Sequence, residues 1–119
     1  MKRIRHTGEP ASDALFSDQA ADTNKTKEVD GIIPQDMSSV QIDWADLTGV
    51  LDGVFKLQQS NHKLPTSNQW DDMGLSHTLN TASGSQTLAD VNFTGLRMRA
   101  VYTKNGITGG TFNAEVIAK

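Results

Sequence analysis

Cysteine is absent from the 119 residues, which excludes disulfides, thiolate metal sites and a cysteine nucleophile, and is neutral as to compartment. Long apolar runs are absent too. Nothing approaches the ~18 residues of a membrane span, and the basic start Met1-Lys2-Arg3-Ile4-Arg5-His6 leads into polar Thr7-Gly8-Glu9-Pro10, so neither a signal peptide nor a membrane anchor is expected. Cationic excess is missing: net charge is −3 with a pI near 5.4, which supplies no general field for phosphate backbones or anionic lipid and argues against nucleic acid as partner. Nor does any stretch of ten residues carry strong helical periodicity. Asp13 to Ala21, mildly apolar behind Ser12 as a cap, is the best helical alternative.

What the chain has instead is small, polar and turn-forming residues: 9 Ser, 12 Thr, 7 Asn and 10 Gly, a composition that favours strands and turns. Its length suits one domain burying roughly two thirds of its unfolded surface. Val40, Ile42 and Trp44 alternate with Gln41 and Asp43, and Phe55 and Leu57 alternate with Lys56 and Gln58. This is the period of two of a strand with one wet face. In the same way Leu96, Met98, Ala100 and Tyr102 share one face, against Arg97, Arg99, Val101 and Thr103. Phe112, Ala114, Val116 and Ala118 oppose Thr111, Asn113, Glu115 and Ile117. Further short strands are expected over 27–33, ended by Pro34, over 70–75, 76–80 and 86–91. The Asn105-Gly106 pair predicts a hairpin joining 96–103 to 111–118. Strands this regularly spaced predict an all-β antiparallel sandwich, jelly-roll or Ig-like, spanning 13–119. Residues 1–12 read as an arm whose Lys2, Arg3 and Arg5 are candidate assembly contacts, fixed by a neighbouring subunit in preference to the domain's own surface.

The chemistry-bearing residues are sparse. There is no Gly-x-Ser-x-Gly elbow, His-Glu-x-x-His pair or phosphate loop, so the chain reads as non-enzymatic, with no cofactor and no metal. His6, His62 and His77 lack ligand spacing and read as surface histidines. Asp43, Asp46, Asp52, Asp71 and Asp72 form no calcium loop and read as solvated turn carboxylates. Trp70, flanked by Met73 and Leu75, reads as a plug for the end of the sandwich. In the other reading it is exposed and, with His62, Asp71 and Asp72, forms a patch able to stack on a sugar ring or a partner's apolar surface. Arg97 and Arg99, two apart on one strand face, could grip a carboxylate row on an adjacent chain. Glu115 is the ordinary partner within this one.

The order of features from Val40 onward resembles a small β-sandwich module of bacteriophage virion structural proteins. The resemblance rests on Val40-Gln41-Ile42, on Gly53-Val54-Phe55-Lys56-Leu57-Gln58-Gln59-Ser60-Asn61, on Trp70-Asp71, on Leu96-Arg97-Met98-Arg99-Ala100-Val101-Tyr102, and on the glycine-rich 106–110 followed by Thr111-Phe112-Asn113-Ala114. It covers about two thirds of the chain. Between Asn61 and Trp70, the segment 62–69 replaces the short Asp-Gly turn usual in such modules. The resemblance implies a virion location and a role as capsid decoration, minor capsid or spike-like subunit. Partners would be other virion subunits, with homo-oligomers in the assembly. The rival expectation is a recognition module for host-surface glycans, or an adhesin-type subunit, centred on His62, Trp70, Asp71 and Asp72.

Overall fold

Strand after strand in this chain is apolar on one side only, and each such face needs a second sheet to cover it. A computed structural model, which describes residues 11–28, 37–89 and 97–118, meets that need with eight strands: β1 (Ala11–Ala20), β2 (Lys25–Glu28), β3 (Met37–Gly49), β4 (Gly53–Ser60), β5 (Asp71–Leu79), β6 (Gly84–Ala89), β7 (Arg97–Thr103) and β8 (Ile107–Ala118). They form two four-stranded sheets, ordered β1-β8-β3-β6 and β2-β7-β4-β5, and every pairing is antiparallel. Among these strands only β4 and β5 are consecutive neighbours in one sheet. Each other connection crosses from sheet to sheet. Eight strands in this order make a jelly roll, which decides between the two sandwich types the sequence left open.

The inward residues are those the alternation picks out. Val40, Ile42, Phe55, Leu57, Ala100, Tyr102 and Phe112 are fully enclosed, and Trp44, Met98, Ala114 and Val116 nearly so. Phe16 of β1 meets Phe112 edge-on at 5.2 Å between centroids, and Tyr102 of the second sheet lies 4.4 Å from Phe112 of the first. Each such side chain contributes about 1.5–3 kcal/mol by leaving water. The Tyr102 phenol donates to Ala21 O at 2.7 Å, tying the second sheet to the β1–β2 turn. Burial, with the Asp22 and Asp52 charges adding to it, pushes its pKa up to about 12.

Several expectations need correction. The Asn105-Gly106 turn is real, with Asn105 at φ +48° and Ile107 N donating to Lys104 O at 3.0 Å. It closes no hairpin, however, because β7 pairs with β2 and β4 whereas β8 pairs with β1 and β3. The turn is tied instead to the β3–β4 connection: Asn105 Nδ2 donates to Asp52 O at 2.7 Å and Gly106 N to Asp52 Oδ1 at 2.8 Å. Asn-Gly specifies a tight reversal, but not which sheet receives the returning strand. The helical alternative at 13–21 gives way to β1, which is bulged twice, between Ala14 and Phe16 and between Phe16 and Gln19, and holds Asp18 at φ +46°. Those irregularities are why its apolar spacing does not read as two.

The two short strands expected over 70–80 are one. β5 spends four residue steps, Ser76 to Asp72, where β4 spends two, Lys56 to Gln58. Gly74 sits in that bulge at φ +78°, a conformation that glycine adopts without strain. An even excess preserves the alternation, so Asp72 and Ser76 both face outward with their β4 partners. β2 is described over Lys25–Glu28, and 29–36 lies outside the described residues, as does Leu96. Ala11 and Ser12, counted with the arm above, pair with Ala118 and Ile117. Lys2, Arg3, Arg5 and His6 lie outside the described residues.

Candidate recognition face

The register of the second sheet turns Glu28, Lys56, Gln58, Asp72, Arg97 and Arg99 to its outer surface, from all four strands. Arg97 Nε and Nη2 both reach Glu28 Oε2, at 3.0 and 2.5 Å, and its Nη1 donates to Lys63 O at 3.0 Å. One guanidinium therefore joins the edge strand β2 to the 61–70 loop. Beside it, Arg99 Nε donates to Gln58 Oε1 at 2.8 Å, and Gln58 Nε2 donates to Asp72 Oδ1 at 2.8 Å. Asp72 also receives Lys56 Nζ at 3.3 Å. The Arg99 guanidinium lies over the Trp70 ring, 4.5 Å from its centroid, a cation–π geometry.

This chain of contacts sets the local electrostatics. The Gln58 hydrogen bond first, then Lys56, hold the Asp72 carboxyl below its ordinary value against a small opposing desolvation. Asp72 is thus an anion at neutral pH, unsuited to acting as a general acid. Partial burial pulls the Arg99 guanidinium down from its ordinary value, opposed by the Glu28 charge. It remains a cation at neutral pH, since arginine starts so high.

Of the residues singled out in the sequence, Trp70, Asp72, Arg97 and Arg99 come together on this face. Trp70 is therefore no plug: it is half-buried beneath Arg99, while Met73 and Leu75 alone of that stretch pack against the core. Glu115 is no partner for the arginines, because β8 places it in the other sheet, opposite Gln41 and Ala14. Asp71 is exposed opposite Gln59. His62 is exposed, its backbone N–H donating to Ser60 Oγ at 3.1 Å. Neither side chain joins the network. His77 is not a surface histidine: it pairs with inward Phe55 and stacks on Trp44 at 5.4 Å between centroids, with Trp44 Nε1 donating to Thr81 O at 3.0 Å.

Sequence reasoning missed Gln58 as the hub and Glu28 as the acid. Gln58 was visible as an outward residue opposite the arginine strand, but its neighbours depend on sheet order. It also missed Leu64, which stands 84% exposed beside the Lys63 carbonyl that Arg97 holds. Among the described residues no three His, Asp or Glu side chains converge as metal ligands would, and no helix is long and apolar enough to cross a membrane. No family model matches the chain, and no curated protein matches it. Among solved structures the crystal structure of PirA is similar, at 14% identity over 96% of this chain and 95% of that one, with a TM-score of 0.45.

Proposed function

We propose that the chain is a non-enzymatic structural subunit of a bacteriophage particle, a decoration or minor capsid protein that docks neighbouring subunits through the outer faces of its sandwich. The observation that carries this reading is a segregation of charge. By register the outer face of the first sheet carries Asp43 and Glu115 and, among the described residues, no Lys or Arg, whereas that of the second carries Lys56, Arg97 and Arg99 against Glu28 and Asp72. A body that bears cations on one outer face and acids alone on the other is suited to neighbours that present opposite faces, since complementary potentials steer encounter and fix register. The Trp70–Arg99 pair supplies the residue types that dominate binding energy in protein interfaces. The jelly roll recurs in capsid and lectin domains, and that support is by analogy of fold.

Particles purified from cells that make this chain test the proposal. Mass spectrometry should find the chain at stoichiometric level, and the double variant Arg97→Ala, Arg99→Ala should lower its occupancy. Absence from the particles overturns it. A glycan-recognition role is the second reading, favoured by the aromatic ring of Trp70 beside Asp71 and Asp72. Against it, Arg99 covers one face of the indole and Asp72 is already engaged by Gln58 and Lys56. Saturable binding on a glycan array, lost in Trp70→Ala, would favour that role.

A further inference from the structure

A jelly roll leaves four strand edges, and an edge is a row of backbone donors and acceptors ready to pair with another chain. Three of the four carry protection. β1 is bulged twice. Of the four described residues of β2, three are Lys25, Lys27 and Glu28. β5 carries Asp71 and Asp72 and the Gly74 bulge. β6 has none of these devices: Gly84-Ser85-Gln86-Thr87-Leu88-Ala89 holds no charge and no proline, and its register against β3 runs unbroken from Trp44↔Gly84 to Ser39↔Ala89.

Among the described residues the remaining contacts leave that edge open. Only Leu88 of the strand is buried, and Ser85, Gln86, Thr87 and Ala89 are exposed. The Thr87 hydroxyl turns back to Gln41 Oε1 at 2.5 Å on the neighbouring strand. The Gln86 amide reaches Thr87 O at a long 3.3 Å, a contact that an incoming backbone N–H can replace.

We propose that β6 is the edge through which two copies of this chain pair, antiparallel and about a two-fold axis, so that their first sheets continue as one. The second copy is the occupant because of what the two-fold sets opposite what. Across it, residues of one face meet: Gln86 meets the second copy's Gln86, or Thr87 its Thr87, both uncharged and able to hydrogen-bond. The same operation on β2, centred on Thr26, would bring Lys25 against the second copy's Lys27, and like charges directly opposed are destabilising. Pairing at β6 also keeps the two acidic faces on one side and the two cation-bearing faces on the other. The inference stands on the edge strand and not on the virion reading, so either can fail alone.

Sedimentation equilibrium of the full chain over a range of concentrations tests it. A reversible dimer is expected, with Gln86→Lys and Thr87→Lys each raising its dissociation constant about tenfold or more while leaving far-ultraviolet circular dichroism unchanged. Thr26→Lys on the β2 edge should leave the dimer intact. Hydrogen exchange of the unaltered chain should show the 84–89 amides that point away from β3 gaining protection as concentration rises, a readout that needs no variant. A chain monomeric at its highest soluble concentration, or a dimer indifferent to both β6 variants, overturns the proposal. So does protection, in the monomer, of those 84–89 amides that point away from β3, which would mean that another part of the same chain already occupies the edge.

Discussion

The outer faces of the two sheets are built from the same alternation and held together differently. On the second sheet, long charged side chains bridge strand to strand: Arg97 to Glu28, Arg99 to Gln58 and Trp70, Lys56 to Asp72. On the first, short groups make the ties: Thr87 to Gln41 at 2.5 Å and Asn113 Nδ2 to Asp43 Oδ1 at 3.2 Å. Long stems cover apolar surface while their heads stay wet, so the second face is the better-preorganised contact surface. The first leaves carboxylates such as Glu115 standing in water. A sheet's outer face is thus a record of which residue lengths its strands supply, over a core that treats both alike.

The largest effect should be indifferent to the comparison. Phe112→Ala removes a ring that touches both Phe16 and Tyr102 and should cost about 3–5 kcal/mol in urea unfolding, a large share of a small domain's stability. Unequal loss of the two sheets, read by hydrogen exchange, would break the view of one shared core.

Tyr102→Phe comes next, because it strands the buried Ala21 carbonyl, and should cost about 1–2 kcal/mol. It should also flatten the alkaline limb of stability. With a folded pKa of about 12 against the ordinary tyrosine value, the unfolded chain releases its proton first. The contribution is therefore whole below about pH 10 and lost as pH rises toward 12. A urea series across that range on both proteins checks the sign.

The comparison itself is sharpened by smaller changes. Arg99→Ala on the second face should cost about 1 kcal/mol through lost stacking on Trp70, whereas Thr87→Val on the first should stay within about 0.5 kcal/mol. Equal costs would erase the distinction. Smallest in energy but most local, Asp72 titrated by carboxyl NMR should show a depressed pKa that rises more in Gln58→Ala than in Lys56→Ala, following the order of its causes. Whatever stability this group lends is present above its unfolded pKa and lost as pH falls through the folded one.

Much of the fold was legible because burial is set by a period of two that needs no knowledge of neighbours. Trp44, Phe55, Tyr102 and Phe112 are inward in the sequence and inward in the structure. The candidate face was legible only in pieces. Arg97 and Arg99 could be placed outward, but their partner was sought in Glu115, because a hairpin at Asn105-Gly106 would have made β8 their neighbour. Trp70 reads inward only if it is grouped with its apolar neighbours Met73 and Leu75; the period of two, unbroken by the even excess at Gly74, sets it with Asp72 on the outer side.

The linear order of residues by itself determined the all-β class, the two-sided strands and the positions of tight turns, since each depends on side chains within a few residues of one another. Only the tertiary structure decided which strands share a sheet. Sheet membership is chosen by the whole set of apolar faces seeking cover at once, and among the described residues it gathers five cations in the strands of one layer and none in those of the other.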